Sequence, residues 1–470
     1  AQVLLDSVGP RLTGTPGQEA AGSWVVERYR DWGIEARNEA YGTWRGWRRG
    51  ITHVDLVEPR VRSLEGTMLA WSPGTDGPVT GPVNVIPALA GRGDLDAFLR
   101  EVRGSFVLLS APEPTCRPDD NWEEYAREGG VDRMRAERQG MQSAWAARIA
   151  ATGMSDRDLA TRLEDAGAAG ILTSRWSRGW GVQKIFGAWT ERAPTLDLSC
   201  EDYGLLFRLA ENGQGPVIRV DAVAEHLGEV PVANTIGVIR GSELPDEYVL
   251  LSAHFDSWDG ASGATDNGTG TITMMEAMRI LKAVHPNPRR TIMVGHWNGE
   301  EQGLNGSRAF AADHPEVVEG LQALFNQDNG TGRVRTISMQ GLTGVAPFFA
   351  RWFADIPPQL TDEIDLVIPG TPGGGGSDYA SFICAGAPAF GLSSLSWEYG
   401  TYTWHTNRDT FDKVVLEDLR DNAVLTAMLA YLASEDPETL PRERRALPVD
   451  RRTGAPMAWP ACRDGARSTR

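Results

Sequence analysis

No apolar run in the 470-residue chain approaches the roughly 18 residues that a membrane-spanning helix needs, so no membrane span is expected. Positive charge is in deficit. Lys and Arg total 46 against 63 Asp and Glu, a formal charge of −17, which argues against nucleic acid as the main partner because a phosphate backbone rewards clustered basic side chains. Cysteine is scarce, and the four that occur (Cys116, Cys200, Cys384 and Cys462) form no C-x-x-C pair, which excludes the short spacings of zinc ribbons and redox motifs. Free buried thiols and one disulfide stand equally open. The residues after Ala1 show neither a charged n-region nor an apolar h-region. The expectation is a leader already removed and a secreted or periplasmic protein.

What is present is ordinary globular material, 41% hydrophobic and 23% charged. The length exceeds what one hydrophobic core usually serves, so two domains, or one with a large insertion, are expected. Thr15-Pro16-Gly17-Gln18 reads as a capped helix start, Gly33 as its end, and residues 34–41 as a strand. From 65 to 230, Gly and Pro punctuate short apolar strands such as residues 106–109, and residues 159–172 read as a helix feeding a buried strand. From Asn234 onward strands at 235–239, 248–253 and 291–297 alternate with a helix over 268–284, and a long helix covers 416–433. This alternation predicts an α/β fold with a doubly wound, mostly parallel sheet. The domains expected are 1–64 with 231–435, an insertion over 65–230, and an Arg- and Pro-rich extended tail over 436–470.

The His and carboxylate residues fall at the ends of predicted strands, where sites form in such sheets. His254 and Asp256 follow one strand, Asp266 opens the next helix, Glu300 and Glu301 follow another strand, Asp328 follows Leu324-Phe325, and His405 comes from a later loop. Two imidazoles and three carboxylates suit zinc. A two-metal site then needs one shared carboxylate, for which Asp266, beside a Gly-rich turn, is best placed. Asp256, two residues after His254, is expected to accept the other ring N–H of that imidazole. Adjacent Glu300 and Glu301 point different ways, so one can bind metal while the other takes a proton from water. His296, inside a strand, reads as a core histidine.

These residues carry a family resemblance. His254-Phe255-Asp256-Ser257-Trp258-Asp259, Ala264-Thr265-Asp266-Asn267-Gly268 and Trp297-Asn298-Gly299-Glu300-Glu301-Gln302-Gly303 resemble the co-catalytic zinc peptidases that include bacterial aminopeptidases and, with the closest match, plasma glutamate carboxypeptidase. The likeness extends through Asp328-Asn329-Gly330-Thr331, Gly376-Ser377-Asp378 and His405. It implies two Zn²⁺ ions, one held by His254, Asp266 and Asp328 and the other by Asp266, Glu301 and His405, with Glu300 as general base. It also implies that residues 65–230 resemble a protease-associated domain, that the substrate is a peptide or dipeptide with a free amine, and that a homodimer is possible. Some relatives carry Tyr before the final His, as a donor to the tetrahedral intermediate; this chain has Trp404, leaving Tyr399 or Tyr402 to substitute. Two other functions compete, a glutaminyl-cyclase-like transferase and a receptor-like ectodomain without chemistry. The complete ligand set opposes the first and the intact Glu300 the second.

Overall fold

The computed structural model describes residues 1–89, 92–450 and 452–469. The Thr15 side chain caps the first α-helix, Pro16–Asp31, by accepting the Gln18 N–H at 3.4 Å, and Gly33 at φ 73° turns the chain out of it. There follow β1 (Glu35–Glu58), β2 (Arg62–Leu64), β3 (Gly66–Met68), β4 (Val79–Val85), β5 (Phe106–Leu108), β6 (Gly170–Thr173) and β7 (Thr195–Leu198). Three helices between Asp119 and Asp165 intervene, the last feeding β6 as the sequence predicts. The second half contains β8 (Val217–Ile239), β9 (Leu244–His254), β10 (Arg290–Trp297), β11 (Leu321–Asn326), β12 (Val334–Ser338), β13 (Asp365–Val367) and β14 (Ala389–Ser394).

The strands form one mixed sheet in the order β13-β12-β14-β11-β9-β10-β8-β4-β5-β6-β7-β3, with β1 and β2 off this path. Its centre is parallel: β10, β9, β11 and β14 run the same way. β10 and β11 are buried at every residue, as strands covered on both faces must be. The helices Thr269–Val284 and Leu416–Glu435 pack together beside this centre, and Met274, Met278, Leu425 and Leu429 join its core. The α/β sheet predicted from the alternation is therefore present.

β1 and β8 make a long antiparallel ribbon, broken by four register shifts. One end of β8 pairs with β10 and the other with β4, so this strand belongs to both halves of the sheet. The stretch read as an insertion, 65–230, ends inside it. Beyond the ribbon, Ile86, Phe98, Val107, Leu163 and Ile171 gather in a separate core.

One expectation is corrected. All four cysteines are paired, Cys116 with Cys200 and Cys384 with Cys462, so neither free thiols nor a single disulfide holds. The chain after the last helix is extended but tied down. Trp459 Nε1 donates to the Ile383 carbonyl at 2.9 Å, the Ala466 N–H donates to Asn305 Oδ1 at 2.8 Å, and the Arg45 N–H donates to Thr469 Oγ1 at 2.8 Å. Among the described residues no helix is long and apolar enough to cross a membrane.

Candidate metal centre

β9 ends at His254, which lies in register with Trp297 at the end of β10, and β11 ends two residues before Asp328. The carboxyl edge of the parallel centre therefore delivers three of the predicted groups to one place. The His254 Nδ1 lies 3.0 Å from the Asp256 carbonyl oxygen, which can only accept, so Nδ1 carries a proton and Nε2 is the nitrogen turned toward the carboxylates. That Nε2 is 3.0 Å from Asp328 Oδ1 and 3.3 Å from Asp266 Oδ1. The other oxygen of Asp266 is 3.3 Å from His405 Nε2, which is itself 2.9 Å from Glu301 Oε2. Two triads result, His254 with Asp266 and Asp328, and Glu301 with Asp266 and His405, the ligand atoms of each lying within 4.8 Å of one another. Asp266 presents one oxygen to each.

The surroundings hold these groups by their backbones. Gly263, at φ 58°, makes the turn before Asp266, and a Cβ there would come within 2.3 Å of the Ser257 side chain. The carboxylate of Asp409 then accepts the N–H groups of Thr265 and Asp266 at 2.8 and 3.0 Å. Fully buried Arg11 donates to the carbonyls of Phe255, Ser262 and Gly263, each at 2.8 Å, tying the His254 strand end to the Asp266 turn. Gly299, at φ 76°, shapes the turn before Glu300, where Tyr41 donates to the Asn298 carbonyl at 2.9 Å.

Asp256 is buried beside the triads, but its carboxylate does not partner the His254 ring, from which it lies 3.8 Å away. It accepts instead the N–H groups of Glu300 and Glu301, at 3.1 and 3.3 Å. The backbone carbonyl takes the ring proton because the chain turns at the strand end, sending the side chain toward the neighbouring loop.

The His405 loop is held from a distance in sequence. The Ile185 N–H donates to the His405 carbonyl at 2.6 Å, Ser177 Oγ donates to Thr401 O at 2.7 Å, and Lys184 Nζ reaches the carbonyls of Gly400 and Trp404 at 2.8 and 2.5 Å. Trp404 stacks on His405 with ring centroids 4.1 Å apart. Tyr399 faces the metal cavity, whereas Tyr402 lines the adjacent one, so of the two candidate donors only Tyr399 is at the site. His296 is buried against Tyr29, its Nε2 2.7 Å from the hydroxyl, as a core histidine should be.

Burial dominates the charges. It pushes Glu300 and Glu301 well above the usual carboxylate range and His405 down to about 4, while His254 is raised well above its usual value because Asp328 and Glu300 overcome its burial. Burial likewise raises Asp256 and Asp378, so the carboxylates gathered here ask for cations to stay ionised together. Asp266 Oδ2 and Glu301 Oε1 are buried with no hydrogen-bond donor. A set of imidazole and carboxylate donors with orphaned oxygens fits zinc. The groups open on a cavity of about 460 Å³ that also exposes Gly374 to Gly376, Arg308 and Arg463.

Residues 234–430 match peptidase family M28. Over 94% of its length the chain is 25% identical to carboxypeptidase Q of Mus musculus, spanning 86% of that protein. Among solved structures it is similar to a peptidase M28 precursor from Shewanella amazonensis, with a TM-score of 0.66, 23% identity and 93% of each chain covered. A zinc aminopeptidase from Bacillus subtilis gives a TM-score of 0.58 at 19% identity, over 91% of this chain and 92% of that one. The resemblance read from the motifs is borne out, and the family match spans all five candidate ligands and Glu300.

Proposed function

We propose that this chain, whose residues 234–430 match peptidase family M28, is a di-zinc exopeptidase that hydrolyses peptides or dipeptides with a free amine. The single observation that carries the reading is Asp266, which sends one carboxylate oxygen toward His254 and the other toward His405. His254, Asp266 and Asp328 would hold one ion, and Asp266, Glu301 and His405 the other. When bound, zinc would supply Lewis acidity toward a peptide carbonyl and would lower the pKa of water in the site.

The chain's own residues do the rest. Asp256 fixes the backbone of Glu300 and Glu301, so that Glu301 turns to His405 while Glu300 faces the cavity with no ligand role. Glu300 is thereby placed to accept a proton from water and return it to the leaving amine. Tyr399 offers a hydroxyl donor to charge developing on the substrate's carbonyl oxygen. The acidic wall around the ions favours a cationic or metal-ligating amine next to the scissile bond. Residues 65–230, beside the His405 loop, take the part of a protease-associated domain. Two disulfides support an oxidising, extracellular or periplasmic setting.

The test is metal analysis of the purified protein together with paired substrates. Two zinc ions per chain and cleavage of aminoacyl-arylamides or dipeptides are expected, with at least about tenfold loss of kcat/KM on N-acetylation, equivalent to about 1.4 kcal/mol. Equal rates on free and acetylated series would overturn the exopeptidase reading.

A further inference from the structure

We infer that a buried water molecule orients His405 from the side away from the metals, accepting the Nδ1–H of His405 and the Nε1–H of Trp258 and donating to the carboxylate of Asp409. Trp258 and Asp409 are then positioning residues for the second triad. The inference rests on the di-zinc reading and deepens it.

The two candidate imidazole ligands are held differently. His254 donates from Nδ1 to the Asp256 carbonyl at 3.0 Å. His405 turns Nε2 to Glu301 and Asp266, at 2.9 and 3.3 Å, which leaves Nδ1 on the far side of the ring. That nitrogen is buried and has no hydrogen-bond partner among the described residues. The flanks of the ring offer none, since Trp404 stacks on it at 4.1 Å between centroids and Phe186 and Trp258 stand edgewise to it at 5.2 and 6.0 Å. An imidazole that gives one nitrogen to a metal carries a proton on the other and almost always donates it, because that bond fixes the ring and raises its basicity.

His405 also lines a second, small cavity, together with Trp258, Ala261, Asp266, Thr406 and Asp409. At about 10 Å³ it has the room that one water needs. A second orphan donor belongs to it, because Trp258 Nε1 is likewise buried without a partner among the described residues. The indole is set edgewise to Trp71 and Phe186, with centroids 5.9 and 5.5 Å away, so its N–H is not free to swing to another acceptor. Asp409 supplies the acceptor. It is 3% exposed and takes the Thr265 N–H on Oδ1 and the Asp266 N–H on Oδ2, one bond to each oxygen, which leaves a lone pair on both.

Water meets all three demands at once. It accepts twice and still donates, and three hydrogen bonds are the usual number for a buried water. An anion would sit against the carboxylates of Asp266 and Asp409, and a cation would face two N–H donors. Cavities that stay dry are lined by apolar groups, unlike this one. Asp409 then holds Asp266 by its main chain and His405 through the water, so one carboxylate references two ligands of the same triad.

The first experiment is crystallography of the protein with and without zinc. One ordered water is expected within hydrogen-bond distance of His405 Nδ1, Trp258 Nε1 and Asp409. A dry cavity, or a water that misses any of the three, overturns the inference. The second is zinc competition against a chromogenic chelator. Trp258→Phe removes the N–H and keeps the aromatic packing, and Ala261→Val fills the cavity with methyl groups. Each should weaken one of the two zinc equivalents about 10- to 100-fold and leave the other unchanged. Wild-type affinity for both ions, or equal loss at both, overturns the positioning role. A packing role alone would not move the third readout, the solvent exchange of the His405 Nδ1–H proton in zinc-loaded protein carrying isotope-labelled histidine. That exchange should quicken in Trp258→Phe, and an unchanged rate counts against the water. If the protein takes up no zinc, the metal reading falls, while the crystal structure of the metal-free protein still decides the water.

Discussion

Asp409 grips Asp266 by its main chain, accepting the Asp266 N–H on a carboxylate oxygen at 3.0 Å. The carboxylate proposed to be shared is thus aimed by an acid 143 residues later in the sequence. Replacing Asp409 by Ala should leave the fold intact by near-ultraviolet circular dichroism but weaken zinc retention roughly 10- to 100-fold against a chromogenic chelator. Wild-type retention would reduce Asp409 to a loop brace.

Glu300→Gln removes the proton acceptor but none of the five candidate ligands. Zinc content should stay at the wild-type level while turnover falls by about 10²- to 10⁴-fold. A variant that keeps its activity would mean that another group takes the proton.

The buried guanidinium of Arg11 serves the carbonyls of Gly9, Phe255, Ser262 and Gly263. Arg11→Met fills similar volume and strands all four. The apo protein should lose about 3 kcal/mol or more in urea unfolding, the sum of several unsatisfied buried acceptors. A loss below about 1 kcal/mol would show that the loops re-form without it.

Asp197 is fully buried, accepting from Thr173 Oγ1 at 2.8 Å and the Arg175 N–H at 3.0 Å. Burial outweighs these bonds and pushes its carboxyl up to about 7. An unfolded Asp titrates near 3.9, so between about 4 and 7 the folded chain keeps a proton that the unfolded chain releases. Stability therefore falls as pH rises through that window and levels off above it. Relative to wild type, Asp197→Asn should gain stability between pH 5 and pH 8 in urea midpoints. Parallel pH dependence in the two proteins would contradict the assignment.

The parallel centre and its edge were legible because buried strands leave apolar runs, and His254, Glu300, Glu301 and Asp328 follow those runs within a few residues. What the sequence hid was what three-dimensional proximity decides. The two-residue spacing of His254 and Asp256 suggested a side-chain contact, but the turn at the strand end gives the imidazole a backbone carbonyl and sends the carboxylate to the Glu300 turn. Asp409 and Arg11 carry no local signal, since the partners Asp409 holds lie more than 140 residues away and three of Arg11's four lie more than 240 away. Cysteine pairing across separations of 84 and 78 residues is equally invisible until the Cα atoms stand 5.7 and 5.1 Å apart. Tyr399 could be narrowed only to one of two tyrosines before His405.

The struts from Ser177, Lys184 and Ile185 to the loop of His405 bear on where the chain can be cut. A fragment trimmed to residues 234–430 would contain every candidate ligand, yet the loop bearing one of them would have lost its scaffolding. Such a fragment would also lack Arg11, which ties the His254 strand end to the Asp266 turn, so both triads would lose a brace. The family-matching stretch is thus not a portable module: the loops that carry its candidate ligands are braced by chain that lies outside it.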